Sequence, residues 1–476
     1  MGTRIEKNIK KKGSPMKPVT SWSFHPYNPP LRDFGGLYIC RLAPSKNAVH
    51  VEWLDIGEKE YTVIYRKAES EESKALVVSQ SECDITGLEN DTDYAITIRA
   101  GETYSRTRLA RTGEAVGDTV VNYLHPKDDA YAFSGQYLCS PTIVRHPDGF
   151  LLAGMDVFKG NAPQNLELIF RSDDDGKTWH YVSELYPCFW GRLFIYENSV
   201  YMISCSTEYG DLLIGRSDDG GKTFTVPTVL LRGACKCNEA GVHKNPQPPM
   251  MYDGRMWFTM EWGAWALGTH AAMVGSFPVG TDPLKAENWL FSEPTPYDPT
   301  WKGTADGPSA GNIEGTLAVL PDGGLYNIMR YDMGRAKPNF GRVLAYRVNT
   351  KDPEAPLVYD HAIALPGNHS KFMIRKDDVS GYYYTVICRI TDGTKVSDRR
   401  LLSLMKSKDC EHWELAKDLI DFRDKADAKD VGFQYPDFFI EGDDIFLLCR
   451  TAMNSAANFH DSNYSTFHRI RDFRTL

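Results

Sequence analysis

Glu314, Arg330, Arg400 and Tyr435 are the side chains of this sequence whose types and order could do chemistry together. Glu314 stands in Asn312-Ile313-Glu314-Gly315, and Arg330 ends Ile328-Met329-Arg330, 16 residues further on. Arg400 lies in Asp398-Arg399-Arg400-Leu401-Leu402, where Arg399 could fill the same place, and Tyr435 lies in Phe433-Gln434-Tyr435-Pro436-Asp437. A phenol with a pKa of about 10 becomes a nucleophile only with a base in contact, and a carboxylate can be that base. Arginine adds a permanently charged planar fork that grips a carboxylate in two places, which lysine does not reproduce. Singly, each residue has an ordinary reading: a Glu before Gly is a solvated turn residue, and a Tyr on a strand is core packing.

The elements that must position them read as strands joined by glycine turns. Ser172-Asp173-Asp174-Asp175-Gly176-Lys177-Thr178-Trp179 and Ser217-Asp218-Asp219-Gly220-Gly221-Lys222-Thr223-Phe224 share the pattern S-x-D-x-G-x-T-aromatic, 45 residues apart. Asp and Gly supply the turn and its positive φ, Ser and Thr hydroxyls tie its backbone, and the aromatic is buried beneath. The spacing is close to one four-stranded propeller blade. Strand, turn and strand recur at Pro147-Asp148-Gly149, Asp253-Gly254, Pro321-Asp322-Gly323 and Gly442-Asp443-Asp444, and Ser407-Lys408-Asp409-Cys410-Glu411-His412-Trp413 is a degraded copy of the longer pattern. No helix of about ten residues or more interrupts the series. At ~45 to 60 residues per blade the region from residue 120 onward makes six blades, with seven the alternative. The segment from Phe459 to His468 is expected to close the last blade, because a circular propeller must pair its terminal strands.

These repeats resemble the Asp-boxes of the sialidase superfamily, and the resemblance covers about residues 125 to 476. It implies a sialidase-like six-bladed β-propeller whose site lies at the axial mouth. The segments around Glu314, Arg330, Arg400 and Tyr435 resemble, in order, those bearing the family's catalytic Glu, two substrate-binding Arg residues and the nucleophilic Tyr. Sialic acid carries a carboxylate on its anomeric carbon, and a carboxylate nucleophile would meet that like charge at about 4 kcal/mol at 4 Å and an effective dielectric of 20. A neutral phenol avoids the repulsion, and sialidases are the tyrosine exception among retaining glycosidases. The resemblance therefore implies a Tyr435 nucleophile, a Glu314 base and a carboxylate clamp from Arg330 and Arg400.

The pattern departs from the family at two places. The first triad Arg is replaced by Cys139 in Cys139-Ser140-Pro141-Thr142, and Lys159 to Asn165, where the general-acid Asp belongs, contains no acid. Candidate replacements are Asp156 and His243 for the acid, Arg192 for the guanidinium, and Glu261 as a further binding group. Each also reads as a hydrogen-bonded structural polar residue. Asp437 and Arg450 share the Tyr435 hairpin and are expected to support it.

Residues 1–20 read as a disordered tail. Residues 21–115 read as a separate β-sandwich resembling a fibronectin type III domain, with Trp53 buried and the Tyr94 hydroxyl tied to a nearby turn. Its expected role is a spacer or docking module. The fold class is thus all-β: a small sandwich followed by a propeller over 120–476.

Bulk composition narrows the partners. Aromatic residues make up 12% of the 476 residues and suit sugar-stacking surfaces. The net charge of −9 argues against a nucleic-acid partner, and no run approaches the ~18 apolar residues of a membrane span. Ten cysteines without a C-x-x-C pattern, behind an N-terminus lacking an apolar signal core, imply a reducing, cytoplasmic setting, or a secreted one had a signal been trimmed. No Gly-rich phosphate loop and no compact metal-ligand spacing appear; His460, Asp461 and His468 merely share the tail. No cofactor is expected, and the partner is a carbohydrate. The expected activity is exo-hydrolysis of a terminal sialic or related acidic sugar. The rivals are a uronate-polysaccharide lyase using His243 and Tyr435, and an inactive lectin-like propeller.

Overall fold

The computed structural model of the chain describes Trp22 and residues 36–234, 239–244, 247–367 and 369–476; the tail expected over residues 1–20 lies outside them. Within the described residues the strands form two bodies of sheet. The first has a three-stranded sheet of Ile39–Pro44, Ala48–Trp53 and Glu82–Thr86. Its second sheet orders Lys74–Val78, Tyr61–Lys67 and Asp93–Ala100, with Thr103–Tyr104 and Arg108–Arg111 pairing the last of these. Alternation along Ala48–Trp53 sends Val49, Val51 and Trp53 inward against Tyr61, Val63, Ile96 and Ile98. The Tyr94 hydroxyl accepts the Glu89 amide at 3.0 Å.

Six further antiparallel sheets follow in chain order. Their first strands are Tyr137–Arg145, Phe189–Tyr196, Gly241–His243, Gly311–Val319, Met373–Lys376 and Gly432–Glu441. Blades one to five complete themselves from consecutive strands. The sixth takes Gly432–Glu441, Asp444–Ala452 and Tyr464–Ile470 from the C-terminus and borrows Thr119–Tyr123 as its outermost strand, paired Tyr464 to Tyr123 and Phe467 to Thr119. That exchange closes the ring and leaves no unpaired edge between first and last blade.

Both faces of a propeller blade are buried by neighbours, which is why the strands read as apolar runs. Leu151–Phe158 and Tyr383–Cys388, for example, are buried almost throughout. Apolar side chains collect in layers between successive blades: Leu152, Leu193 and Met202 between the first and second, Phe258 and Phe277 with Tyr196 between the second and third. Each large side chain so buried contributes about 1.5–3 kcal/mol. The layer between the fifth and sixth blades continues into the sandwich core, so the two bodies share one cluster. Arg41 also reaches across, donating to the Val121 and Val120 carbonyls at 2.8 and 3.1 Å. Trp22, which the sequence division assigns to the sandwich, is instead seated on the second blade. Its indole donates to the Pro187 carbonyl at 2.8 Å and meets Phe224 edge-on.

The two S-x-D-x-G-x-T-aromatic segments have the same hydrogen-bond net. Ser172 Oγ donates to Asp174 at 2.8 Å and accepts the Gly176 amide at 2.8 Å, while Asp174 accepts the Thr178 amide and hydroxyl at 2.9 and 2.7 Å. Ser217, Asp219, Gly221 and Thr223 repeat this within 0.1 Å, with distances of 2.8, 2.9, 2.9 and 2.6 Å. Trp179 and Phe224 are buried under their turns. Both turns join the third and fourth strands of a blade. Antiparallel order therefore puts them at the end of the propeller opposite the starts of the first strands.

Candidate active site

The starts of the first strands converge on the axis, and four of the six carry a register break there. The breaks fall at Leu138/Pro141, Phe189/Arg192, Ile313/Gly315 and Gln434/Asp437. A bulge re-aims a side chain that regular pleating would bury between sheets. In three of them a large residue adopts the left-handed region: Trp190 at φ 51°, Glu314 at φ 55° and Tyr435 at φ 53°. Each such conformation costs on the order of 1–3 kcal/mol, a cost typically found at functional sites. The bulges point Glu314 and Tyr435 at one another across the axis.

The Tyr435 hydroxyl donates to Glu314 Oε1 at 2.5 Å, and Arg330 Nη1 donates to Glu314 Oε2 at 2.6 Å. Burial works against the Glu314 charge, but Arg330 and the Tyr435 hydrogen bond outweigh it and hold the carboxyl below its ordinary range. Burial, reinforced by the Glu314 charge, pushes the Tyr435 phenol up. Its proton thus lies between oxygens of very different basicity. Glu314 and Arg330 are buried, whereas Tyr435 keeps partial exposure and is the member an incoming molecule meets.

Two more guanidiniums complete the cluster. Arg399 lies at the mouth: its backbone carbonyl accepts the Phe433 amide at 2.8 Å, its Nη2 donates to the His369 carbonyl at 3.0 Å, and its Nη1 donates to Gln434. Burial among Arg330 and Arg450 lowers its pKa to about 10. Arg450, on the second strand of the sixth blade, lies 5.1 Å over the Tyr435 ring and donates to Cys139 Sγ at 3.2 Å. A guanidinium therefore does stand beside Cys139, supplied from residue 450 across the ring closure. The Nε atoms of Arg330, Arg399 and Arg450 are buried without a hydrogen-bond partner.

The structure does not bring Arg400 or Arg192 to this cluster. Arg400 points the opposite way, held by Asp398 at 2.9 and 2.6 Å and by the Arg423 and Ala426 carbonyls at 2.8 and 2.6 Å. Arg400 sits in the bend just before the strand Leu401–Ser407, where Asp398 and two carbonyls take its guanidinium away from Arg399. Arg192 is buried in the axis and paired with Asp437, whose Oδ2 also accepts the Ile143 amide at 2.7 Å. Asp437 and Arg192 form a strut across three first strands. Asp156 is fully buried and accepts the Ser140 and Trp190 amides at 2.6 and 2.7 Å, one on each oxygen. Burial raises its pKa to about 6, and its hydrogen bonds anchor the two bulges of the first and second blades.

His243 and Glu261 are joined, Nδ1 to Oε2 at 2.5 Å, and Glu261 Oε1 accepts the Gly315 amide at 3.2 Å beside Glu314. His243 packs on Trp190 with ring centroids 4.2 Å apart, and Tyr209 and His270 extend this aromatic wall. Burial and the neighbouring His243 and Arg330 drop the His270 pKa to about 2, so it is neutral and bonds the Tyr209 hydroxyl at 3.0 Å. Glu208 precedes Tyr209 on the same loop and was not singled out in the sequence. Gln164 donates to it at 2.8 Å, burial raises its pKa, and His243 lies close enough to oppose that rise. Its only sequence signal is adjacency to an aromatic residue in Thr207-Glu208-Tyr209. No metal-ligand cluster occurs in this mouth among the described residues.

No family model matches the chain, and no curated protein matches it. Solved structures similar in fold include an α-L-arabinanase from Penicillium chrysogenum complexed with arabinobiose, at 13% identity, 75% of this chain, 98% of that one and a TM-score of 0.48. The intramolecular trans-sialidase from Ruminococcus gnavus in complex with oseltamivir carboxylate is similar at 11% identity, 73% and 97% coverage and a TM-score of 0.46. The NanB sialidase from Streptococcus pneumoniae spans more of the chain, with 92% and 93% coverage at 9% identity and a TM-score of 0.47. The β-propeller rests on the chain's own six successive sheets, the last closed by Thr119–Tyr123; at these identities and TM-scores the likeness assigns no reaction and no residue role.

Proposed function

We propose that the protein is a retaining glycoside hydrolase that removes a terminal sugar bearing a carboxylate, of the sialic-acid class. The observation that carries this reading is the 2.5 Å Tyr435–Glu314 hydrogen bond set among three guanidiniums with buried, unpartnered Nε atoms. Arg330, Arg399 and Arg450 hold the substrate carboxylate. Tyr435 Oη forms a bond to the anomeric carbon as the glycosidic C–O bond breaks, and the phenol proton passes to Glu314. The leaving oxygen takes a proton from Glu208, whose half-buried carboxyl stays protonated to higher pH than an ordinary glutamate. Water then cleaves the tyrosyl–sugar bond, with Glu208 as base and Glu314 returning the proton to Tyr435. Trp190, backed by the buried rings of Tyr209 and His243, forms the wall against which the sugar beyond the cleaved bond packs.

The first test is free-sugar release from mixed α2,3- and α2,6-linked sialosides by wild type, Tyr435→Phe and Glu314→Ala. Release that both variants lose by about 10²-fold or more, with circular dichroism unchanged, supports the reading. No release from any sialoside removes that substrate. A second reading, β-elimination from a uronate, is favoured by the 2.5 Å His243–Glu261 pair, which presents an oriented imidazole close enough to Glu314 to act on its charge. It predicts an ultraviolet-absorbing unsaturated product, which hydrolysis does not make.

A further inference from the structure

Two paired strands of the sandwich place four polar side chains on one face. His50 and Glu52 lie on Ala48–Trp53, where the inward positions are Val49, Val51 and Trp53. The neighbouring strand Glu82–Thr86 pairs Glu52 with Glu82 and His50 with Asp84. Cross-strand neighbours on one face stand about 4.5–5.5 Å apart at Cβ, so the four form a compact square. The face is partly covered. The outermost strand of the first propeller blade, His180–Leu185, lies against it, and the Tyr181 amide donates to the Glu52 carboxylate at 3.0 and 3.1 Å.

The donor atoms of this junction have the spacing of a metal site. One ligand atom each from His50, Glu52 and Glu82 lie within 4.8 Å of one another. His50 Nε2 is 3.7 Å from Glu82 Oε2, and His180 Nδ1 is 3.3 Å from Glu82 Oε2 and 4.0 Å from Glu52 Oε2. Tetrahedral zinc with bonds of about 2.0–2.1 Å to nitrogen and oxygen sets its donors about 3.4 Å apart. The imidazole is also oriented as a ligand. His50 Nδ1 meets Asp84 Oδ1 at 2.9 Å, while Nε2 is buried with no hydrogen-bond partner. A carboxylate on one ring nitrogen fixes the tautomer that leaves the other with its lone pair available, as in carboxylate–histidine–zinc triads. Arg41 is the nearby cation, 3.9 Å from Glu52, but two of its nitrogens are committed to the Val120 and Val121 carbonyls. It leaves Glu82 and Asp84 without a guanidinium partner among the described contacts.

We propose that His50, Glu52, Glu82 and His180 bind one zinc ion that staples the sandwich to the first propeller blade, with Asp84 as the outer partner of His50. Three ligands come from the sandwich and one from the propeller, so the ion adds to the shared apolar cluster, the hydrogen bonds and the buried Arg108–Asp128 ion pair that already join the two bodies. The site lies at the sandwich junction and not at the axial mouth, so it stands independently of the proposed sugar chemistry.

The test uses the full chain, stripped with chelator and titrated with Zn²⁺, Co²⁺ and Mg²⁺. Wild type should bind one equivalent of Zn²⁺, give with Co²⁺ the intense visible absorption of a tetrahedral centre, ignore Mg²⁺, and melt at a higher temperature with Zn²⁺. His50→Ala and Glu82→Gln should each weaken Zn²⁺ binding at least tenfold and abolish the melting shift, with circular dichroism unchanged. His180→Ala should retain a weaker three-ligand site and lose the intense cobalt spectrum. Sugar release, where present, should be unaffected in all three. Absence of stoichiometric Zn²⁺, or equal Zn²⁺ affinity in wild type and His50→Ala, overturns the proposal.

Discussion

Arg399 and Arg400 are adjacent in sequence and opposite in space, and replacing each by Met should give opposite phenotypes. Arg399 lies near enough to Tyr435 for the two charges to act on one another, and its Nε is buried and unpartnered. A hydrogen bond from a charged donor contributes about 1.5–3 kcal/mol. At 1.36 kcal/mol per tenfold, Arg399→Met should lower kcat/KM for an acidic-sugar glycoside by about 10- to 150-fold. Arg400 makes its contacts with Asp398 and two carbonyls away from the mouth. Arg400→Met should leave kcat/KM within about twofold and lower stability by about 1–2 kcal/mol, since the Asp398 pair is only partly screened by water. The assay is sugar release from a chromogenic acidic-sugar glycoside and from its carboxyl methyl ester, alongside urea unfolding. If Arg399 grips the carboxylate, the ester should already be a poor substrate, and Arg399→Met should cost it little more. Equal losses on acid and ester would mean the substitution acts by damaging the site. Loss of turnover in a folded Arg400→Met, with Arg399→Met active, would refute the assignment outright.

Two further outcomes follow from charges on the page. Burial holds the Glu208 carboxyl protonated above its ordinary value, so wild-type kcat/KM should fall as pH rises through that raised value. Glu208→Gln should erase that alkaline limb and cost most for substrates with poor leaving groups; an unchanged limb would exclude Glu208 as the acid. Asp377 takes Arg474 Nε and Nη2 at 2.7 Å each, tying the last residues to the fifth blade, and this pairing holds its carboxyl well below the usual range. Its contribution is full above the unfolded value of about 3.9 and disappears as pH falls through the depressed native value. Asp377→Asn should therefore lower the urea midpoint at pH 7 and approach wild type in strong acid.

The repeat turns were legible because their bonds are local. Ser172, Asp174, Gly176 and Thr178 satisfy one another within four residues, so the pattern in the sequence is the hydrogen-bond net itself. The same holds for the strands, whose buried runs are written as apolar runs. Arg450 was read as support for the Tyr435 hairpin, whereas its Nη1 reaches Cys139, 311 residues away. Nothing in either segment announces that meeting, since it depends on the sixth blade closing beside the first. Asp156 suggests itself as a replacement by standing near the missing acid in sequence, and Arg192 by following Phe189-Trp190-Gly191 on the second blade. In the fold their charge is spent on two backbone amides and on Asp437.

The sequence by itself determined the all-β class, the propeller repeat and the order of Glu314, Arg330 and Tyr435 along the chain. Those properties follow from side-chain periodicity and turn chemistry, which act over a few residues. Only the tertiary structure decided which arginine of the 399–400 pair faces the mouth, that bulges at Glu314 and Tyr435 aim them together, and that His180 meets His50, Glu52 and Glu82. Strand parity past a bulge and contacts across ring closure depend on register between distant segments. Register is set by the packing of the whole ring.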